Sequence, residues 1–353
     1  MQGAGEKKYR SVLIALGLAL ALQPKLASDQ EAGPPASAQE VTGGVHKYDE
    51  VLPACSPDGR WLAFEYHEIS DPNYPRVGIM ALGQDSHSWR PLLKGKPGWH
   101  LYAGDLSWSP DSRWLALWTD YPKGRKSFFS ESDFGIVKVN IYTHEVLRLT
   151  DILPDGAHVG PTTAWLRSGL IVFSGMMDEN IYGVPEKGGN MQKLISVPAD
   201  KCGGITNTLA VSPDEQRIAF AMDSDSDSQI TECNALWIGD LQTGNLRRLP
   251  TTGLRPLSPF WLDGNTILFS GIDIAGGKWL PVGIYGVSLS TGRVTPLLKG
   301  LYQTPFVCDS GKTLYFSWGP RLRTKTPPGD NWPTVNDNYG FHIWKVPLRD
   351  VLR

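Results

Sequence analysis

The chain has 353 residues, 41% hydrophobic and 20% charged, with 38 glycines and 27 prolines. That composition describes a turn-rich globular fold and excludes collagen-like and disordered chains. Thirty-four basic against 36 acidic residues give a net charge of −2, so there is no basic excess for nucleic acid, and four cysteines exclude a small disulfide scaffold.

Lys7, Lys8 and Arg10 precede an apolar run from Val12 to Leu22. As a helix this run reaches about 16 Å, short of a bilayer. A basic stretch before a short apolar one is the pattern of a secretory signal peptide. Cleavage is expected after Ala19-Leu20-Ala21 or near Ala27 and Ser28, and a retained anchor is the alternative. No cysteine follows the apolar run as a lipid-anchor box would require. The expected division is a signal peptide over residues 1–27, a flexible linker over 28–37 and one folded domain over 38–353. The mature chain is expected to be periplasmic or secreted, with no membrane span.

An alternating run ending in a large apolar residue recurs six times, at Phe64, Leu117, Phe173, Phe220, Phe269 and Phe316. The spacings are 53, 56, 47, 49 and 47 residues, the period of a four-stranded propeller blade. A turn precedes each run. Three turns read Ser-Pro-Asp, at Ser56-Pro57-Asp58, Ser109-Pro110-Asp111 and Ser212-Pro213-Asp214. There the proline presets φ and the aspartate bonds nearby amides. A second hairpin follows in most repeats, as in Ile284–Leu289, Thr291-Gly292 and Val294–Leu298. Each unit therefore reads strand, turn, strand, long loop, strand, turn, strand. The predicted fold is all-β, a six-bladed β-propeller of four-stranded antiparallel blades. The sixth unit runs out of chain after Phe341–Val346. Gln39–Gly43 resembles the fourth strands elsewhere and is expected to complete the last blade, closing the ring.

These repeats resemble those of the TolB-like β-propellers, built on Ser-Pro-Asp-Gly "WD-like" units that also form the propeller of prolyl-oligopeptidase-type peptidases. The resemblance covers about Ala38 to Arg353. TolB itself carries an α/β domain before its propeller, for which this chain leaves no room, so the chain is expected to be distinct from TolB. Peptidases of the other branch add a hydrolase domain, and no Gly-x-Ser-x-Gly nucleophile elbow occurs here.

Tight turns fall on one face of such a ring and long loops on the other. Binding residues are expected on the long-loop face, in His67–Arg76, Asp120–Gly135, Asp223–Asn234, Ile272–Pro281 and Gly319–Gly340. The candidate ligand-binding residues are Trp99, Tyr121, Arg125, Trp279, Arg321, Arg323 and Trp332, because aromatic and guanidinium side chains dominate binding energetics and suit carboxylates. Trp61, Trp108, Trp114, Trp165, Trp237, Trp261 and Trp344 sit inside strand patterns and are expected in the core. His46, His100 and His158 occupy equivalent connections entering blades 1, 2 and 3 and are the candidate ligands of a divalent metal, with His67 beside them. Some TolB-like propellers, the oligogalacturonate lyases, hold a metal mainly by histidine at the channel. Asp223, Asp225 and Asp227 are spaced like the opening of a Ca²⁺ loop, but Ser228 replaces its glycine and Asn234 its final glutamate. A solvated acidic loop is the expectation there. Cys202 and Cys233 lie at one loop face, placed to bridge. Cys55 and Cys308 end equivalent strands of neighbouring blades and are expected as small buried side chains.

The function expected is an exported, non-catalytic propeller that needs no cofactor and binds an envelope protein, a peptide or an acidic glycan. The alternative is a metal-dependent carbohydrate-active enzyme resembling an oligogalacturonate lyase.

Overall fold

A computed structural model describes residues 33–42, 48–68, 71–83, 88–94, 103–122, 134–150, 159–175, 180–197, 205–222, 235–251, 253–273, 281–319 and 340–352. Twenty-four strands form six four-stranded antiparallel sheets. Blade 1 contains β2 (Tyr48–Cys55), β3 (Trp61–Glu68), β4 (Asp71–Ala81) and β5 (Arg90–Pro91). Blade 2 contains β6 (Ala103–Trp108), β7 (Trp114–Thr119), β8 (Gly135–Asn140) and β9 (Val146–Thr150). Blade 3 contains β10 (Val159–Trp165), β11 (Leu170–Gly175), β12 (Ile181–Pro185) and β13 (Gln192–Ile195). Blade 4 contains β14 (Ile205–Val211), β15 (Arg217–Met222), β16 (Ala235–Asp240) and β17 (Leu246–Pro250). Blade 5 contains β18 (Leu254–Trp261), β19 (Thr266–Asp273), β20 (Pro281–Ser288) and β21 (Val294–Lys299). Blade 6 takes β22 (Tyr302–Cys308), β23 (Thr313–Trp318) and β24 (His342–Pro347) from one end of the chain and β1 (Gln39–Glu40) from the other.

The ring thus closes as the sequence predicts. Gln39 pairs with Lys345 and Glu40 with Trp344, and the Val41 amide donates to the Ile343 carbonyl at 2.7 Å. Residues 33–38 lie along the same blade, where the Tyr302 hydroxyl donates to the Gly33 carbonyl.

The Ser-Pro-Asp turns work as a local hydrogen-bond relay. Ser109 Oγ donates to Asp111 Oδ1 at 2.6 Å and accepts from the Trp114 amide at 2.9 Å. Asp111 Oδ1 in turn accepts from the Arg113 amide. The residue after the aspartate is left-handed in all three copies: Gly59, Ser112 and Glu215 have φ of 70°, 59° and 57°. The second strands that follow are buried on both faces, because blades stack face to face. Phe64, Leu117, Phe173, Phe220, Phe269 and Phe316 are fully buried. The core is accordingly six clusters, one between each pair of adjacent blades.

Three expectations are corrected. His67–Arg76 is not a long loop, since β3 runs on to Glu68 and pairs it with Asp71 of β4. Of the seven strand tryptophans only Trp108 and Trp261 are buried; Trp61, Trp114, Trp165, Trp237 and Trp344 are half-buried. Trp61 and Trp114 start second strands at the rim, where Trp61 Nε1 donates to the Tyr142 hydroxyl and Lys138 Nζ lies 4.8 Å from the Trp114 ring centre. Finally, Cys55 and Cys308 are buried but not free. They form a disulfide between blades 1 and 6, with Cα atoms 6.0 Å apart, within normal bridging reach. Cys202 and Cys233 lie outside the described residues, as do Asp223, Asp225 and Asp227. Among the described residues no helix is long and apolar enough to cross a membrane.

Candidate functional site

The six first strands, β2, β6, β10, β14, β18 and β22, surround the ring axis. Each carries a register break at the same level: Val51/Ala54, Gly104/Ser107, Val159/Thr163, Thr206/Ala210, Leu257/Phe260 and Gln303/Phe306. Such bulges leave residues outside the ladder and re-aim side chains. In blades 1, 5 and 6 the bulge is an X-Pro pair whose first residue has positive φ: Leu52 at 52°, Ser258 at 47° and Thr304 at 53°. Proline suits this place, since the unpaired position asks for no N–H donor.

The bulged strands enclose a cavity of about 320 Å³. Its lining comes from the second half of every first strand and from Pro57 and Pro213 of the Ser-Pro-Asp turns. It therefore occupies the half of the channel nearer the tight turns. Leu52, Leu106, Phe260 and Phe306 give apolar surface, and Ser107, Thr163, Thr208, Ser258 and Thr304 give hydroxyls. No acidic, basic or imidazole side chain stands among the described lining residues.

Hydrogen bonds fix this wall. Trp108 Nε1 donates to the Ala54 carbonyl, and Trp261 Nε1 to the Ala210 carbonyl, each at 2.9 Å. Each indole thus ties its blade to the preceding one at the bulge. Ser107 Oγ donates to Thr163 Oγ1 across blades 2 and 3. Thr304 Oγ1 accepts from the Leu52 amide across blades 6 and 1, while the Thr304 amide donates to Ser270 Oγ of blade 5. The cavity is a rigid, uncharged socket with apolar and hydroxyl surface. It can hold an apolar group and hydrogen-bond its polar edge, but its described lining offers no general acid or base.

Titratable groups gather elsewhere, at the long-loop end of the contact between blades 1 and 6. Glu50 and His342 are 1% and 4% exposed. His342 Nδ1 lies 2.9 Å from Glu50 Oε2, which also accepts from Thr42 Oγ1. The neighbouring Asp49 accepts from the Phe341 amide. Burial holds the Glu50 and Asp49 carboxyls above the ordinary range; hydrogen bonds from His342 and Thr42 to Glu50, and from Phe341 to Asp49, offset it only in part. Burial pulls His342 down, but Glu50, Glu40 and Asp49 outweigh it, so the imidazole holds its proton more tightly than usual.

Of the ligand-binding candidates, Tyr121 is the one within the described residues. It packs half-buried against the blade 1–2 core, its carbonyl accepting from Arg148 Nη1, and it does not line the cavity. Trp99, Arg125, Trp279, Arg321, Arg323 and Trp332 lie outside the described residues, as do His46, His100 and His158. His67 lies one residue before the end of β3, with Nε2 2.9 Å from Glu65 Oε1. Among the described residues no group of three or more His, Cys, Asp or Glu is arranged to hold a metal. Sequence reasoning missed the cavity wall. Its signal was the X-Pro pair of Leu52-Pro53, Ser258-Pro259 and Thr304-Pro305, beginning three or four residues upstream of the end of each equivalent strand.

Comparison with solved structures places this architecture among known propellers. TolB from Acinetobacter baumannii is 18% identical with a TM-score of 0.50, over 72% of this chain and 56% of that one. An oligogalacturonate lyase from Vibrio parahaemolyticus is 14% identical with a TM-score of 0.51, over 84% and 76%. An oligogalacturonate lyase in complex with manganese is 14% identical with a TM-score of 0.50, over 86% and 78%. The chain is a six-bladed β-propeller whose structural neighbours are TolB-like and oligogalacturonate lyase propellers, and it spans little more than half the length of Acinetobacter TolB. At these identities the likeness is one of fold. No family model and no curated protein matches the chain.

Proposed function

We propose that the protein is an exported, non-catalytic binding propeller for a peptide or protein segment of the cell envelope. The supporting observation is the socket at the ring axis, rigidly walled by all six blades, with no acidic, basic or imidazole side chain among its described lining residues. An apolar side chain of the partner enters it, and serine and threonine hydroxyls bond the adjoining backbone. The loop-face set of Trp99, Arg125, Trp279, Arg321, Arg323 and Trp332 is a second contact surface in this reading, suited to acidic groups on a protein or glycan.

The second reading is a metal-dependent carbohydrate-active enzyme using His46, His100 and His158. It draws on the manganese-bound lyase among the structural neighbours.

The test is capture from an envelope extract with the mature chain and its Leu106→Arg variant, which places a cation in the socket. Capture lost in that variant and kept in Arg321→Ala, Arg323→Ala is expected. Loss confined to the arginine variant moves the site to the loop face. About one equivalent of bound metal, abolished in His100→Ala, His158→Ala, would replace the binding reading with the enzyme.

A further inference from the structure

Blades 1 and 6 meet where the ring closes, and this contact is fastened at two ends by different chemistry. At the tight-turn end Cys55 and Cys308 are covalently joined. At the long-loop end the fastening is polar. The β1 ladder is only two residues long, so Thr42 adds hold beyond it: its Oγ1 donates to Glu50 and accepts from the Ile343 amide at 2.9 Å. The Glu50 amide donates to the Phe341 carbonyl at 2.8 Å, and the Phe341 amide to Asp49 Oδ1 at 2.9 Å. Glu50 and His342 complete the group, 292 residues apart in sequence.

We propose that this buried Thr42–Glu50–His342 group is a pH-sensitive latch: loss of the His342 proton loosens the long-loop end of the blade 1–6 contact, while the Cys55–Cys308 bond holds the other end shut. With His342 protonated, its charge and that of Glu50 cancel inside the protein. Without the proton, Glu50 is left as a buried anion beside Asp49, a costly arrangement. Among the described residues, the charged groups facing the latch are Glu40 from β1, Asp49 and Glu50 from β2, and His67 from β3 acting on Asp49. Glu65 of β3 is bonded to that His67. β22 and β23 contain no charged side chain.

The sign follows from the directions of titration. His342 titrates above its unfolded value of about 6.5, so its contribution is complete below that pH and is lost as pH rises through the folded value. Glu50 and Asp49 are raised as well, and a raised carboxyl also favours the closed form at lower pH. All three act in one direction, towards a weaker contact at alkaline pH.

Hydrogen exchange of the oxidised full chain at pH 6 and pH 8.5, corrected for the intrinsic exchange rate, reads the latch directly. The amides of Val41, Glu50, Phe341 and Ile343 report its end of the contact, and those of Ser56 and Gly59 the disulfide end. The opening constant of the first group is expected to rise about three- to tenfold between the two pH values, and that of the second to stay level. In Glu50→Gln, and separately in His342→Gln, the rise is expected to shrink markedly, leaving only what Asp49 contributes. A flat wild-type profile, an equal rise at both ends, or an undiminished rise in either variant would overturn the proposal.

Discussion

At the scale of single residues, the tryptophans at the ends of the first strands are alike in sequence but differ in the bonds they make. Trp108 and Trp261 each satisfy a carbonyl of the preceding blade, and Trp261 also carries Arg217 4.8 Å from its ring centre. Trp165 stands at the same place in blade 3, yet its indole nitrogen is buried without a partner among the described residues. Replacement by phenylalanine removes similar packing in all three but a hydrogen bond in only two. Trp108→Phe and Trp261→Phe are therefore expected to cost about 1–2 kcal/mol more than Trp165→Phe, measured by urea unfolding. This difference could not be read from the sequence, where every Trp in a strand pattern looks like core. Burial there depends on which neighbouring blade the ring meets, and Trp61 and Trp114 meet the rim instead. The histidines show the same limit. His342, unremarked in the sequence, has a buried carboxylate partner from 292 residues away.

At the scale of elements, the local code was strong. A turn and the following apolar run mark each second strand, three of the turns carrying the Ser-Pro-Asp relay, because turn chemistry and burial both act within ten residues. The closing strand at Gln39-Glu40 was legible for a related reason: it repeats the pattern of the other fourth strands. The bulges were less legible: three carry an X-Pro pair, but each is an ordinary short segment and only six together make a wall. Glycines in blade 5 show how conformation separates from position. Gly283 of β20 has φ of 152°, and a Cβ there would collide with the Leu298 carbonyl of β21. Gly292, in the turn joining those two strands, has φ of 68° and open space around it. Gly283→Ala is expected to destabilise by about 2–3 kcal/mol and Gly292→Ala by about 1 kcal/mol, a contrast that thermal melts of the two variants would show or refute.

At the scale of the whole molecule, six blades share six interfaces, and five of them are spanned by continuous chain. The sixth joins blade 1 to blade 6, where the Cys55–Cys308 bond closes a separation of 253 residues. In the chain-entropy account so long a loop stabilises by about 5–6 kcal/mol. The Cys55→Ser, Cys308→Ser pair is expected to melt roughly 5–15 °C lower than the oxidised protein, and the oxidised protein to fall by a similar amount when a dithiol reduces it. Calorimetry with and without reductant decides this; an unchanged melting point would mean the ring is held shut by packing alone. The sequence placed both cysteines in neighbouring blades but offered no means of choosing between thiols and a bond. That choice turns on a Cα separation of 6.0 Å, which the repeat spacing does not determine.

The borrowed outer strand of blade 6 also sets an order in time. A ribosome makes Gln39 and Glu40 long before their partners Trp344 and Lys345. Across the comparable gap of 292 residues between Glu50 and His342, translation at 5–20 residues per second takes about 15–60 s. Throughout that interval the first blade has no sixth neighbour, and the closing strand has nothing to pair with. The nascent chain thus cannot close its ring until both of these distant segments have been made. A circular permutant closing its ring within one contiguous blade would have no such delay.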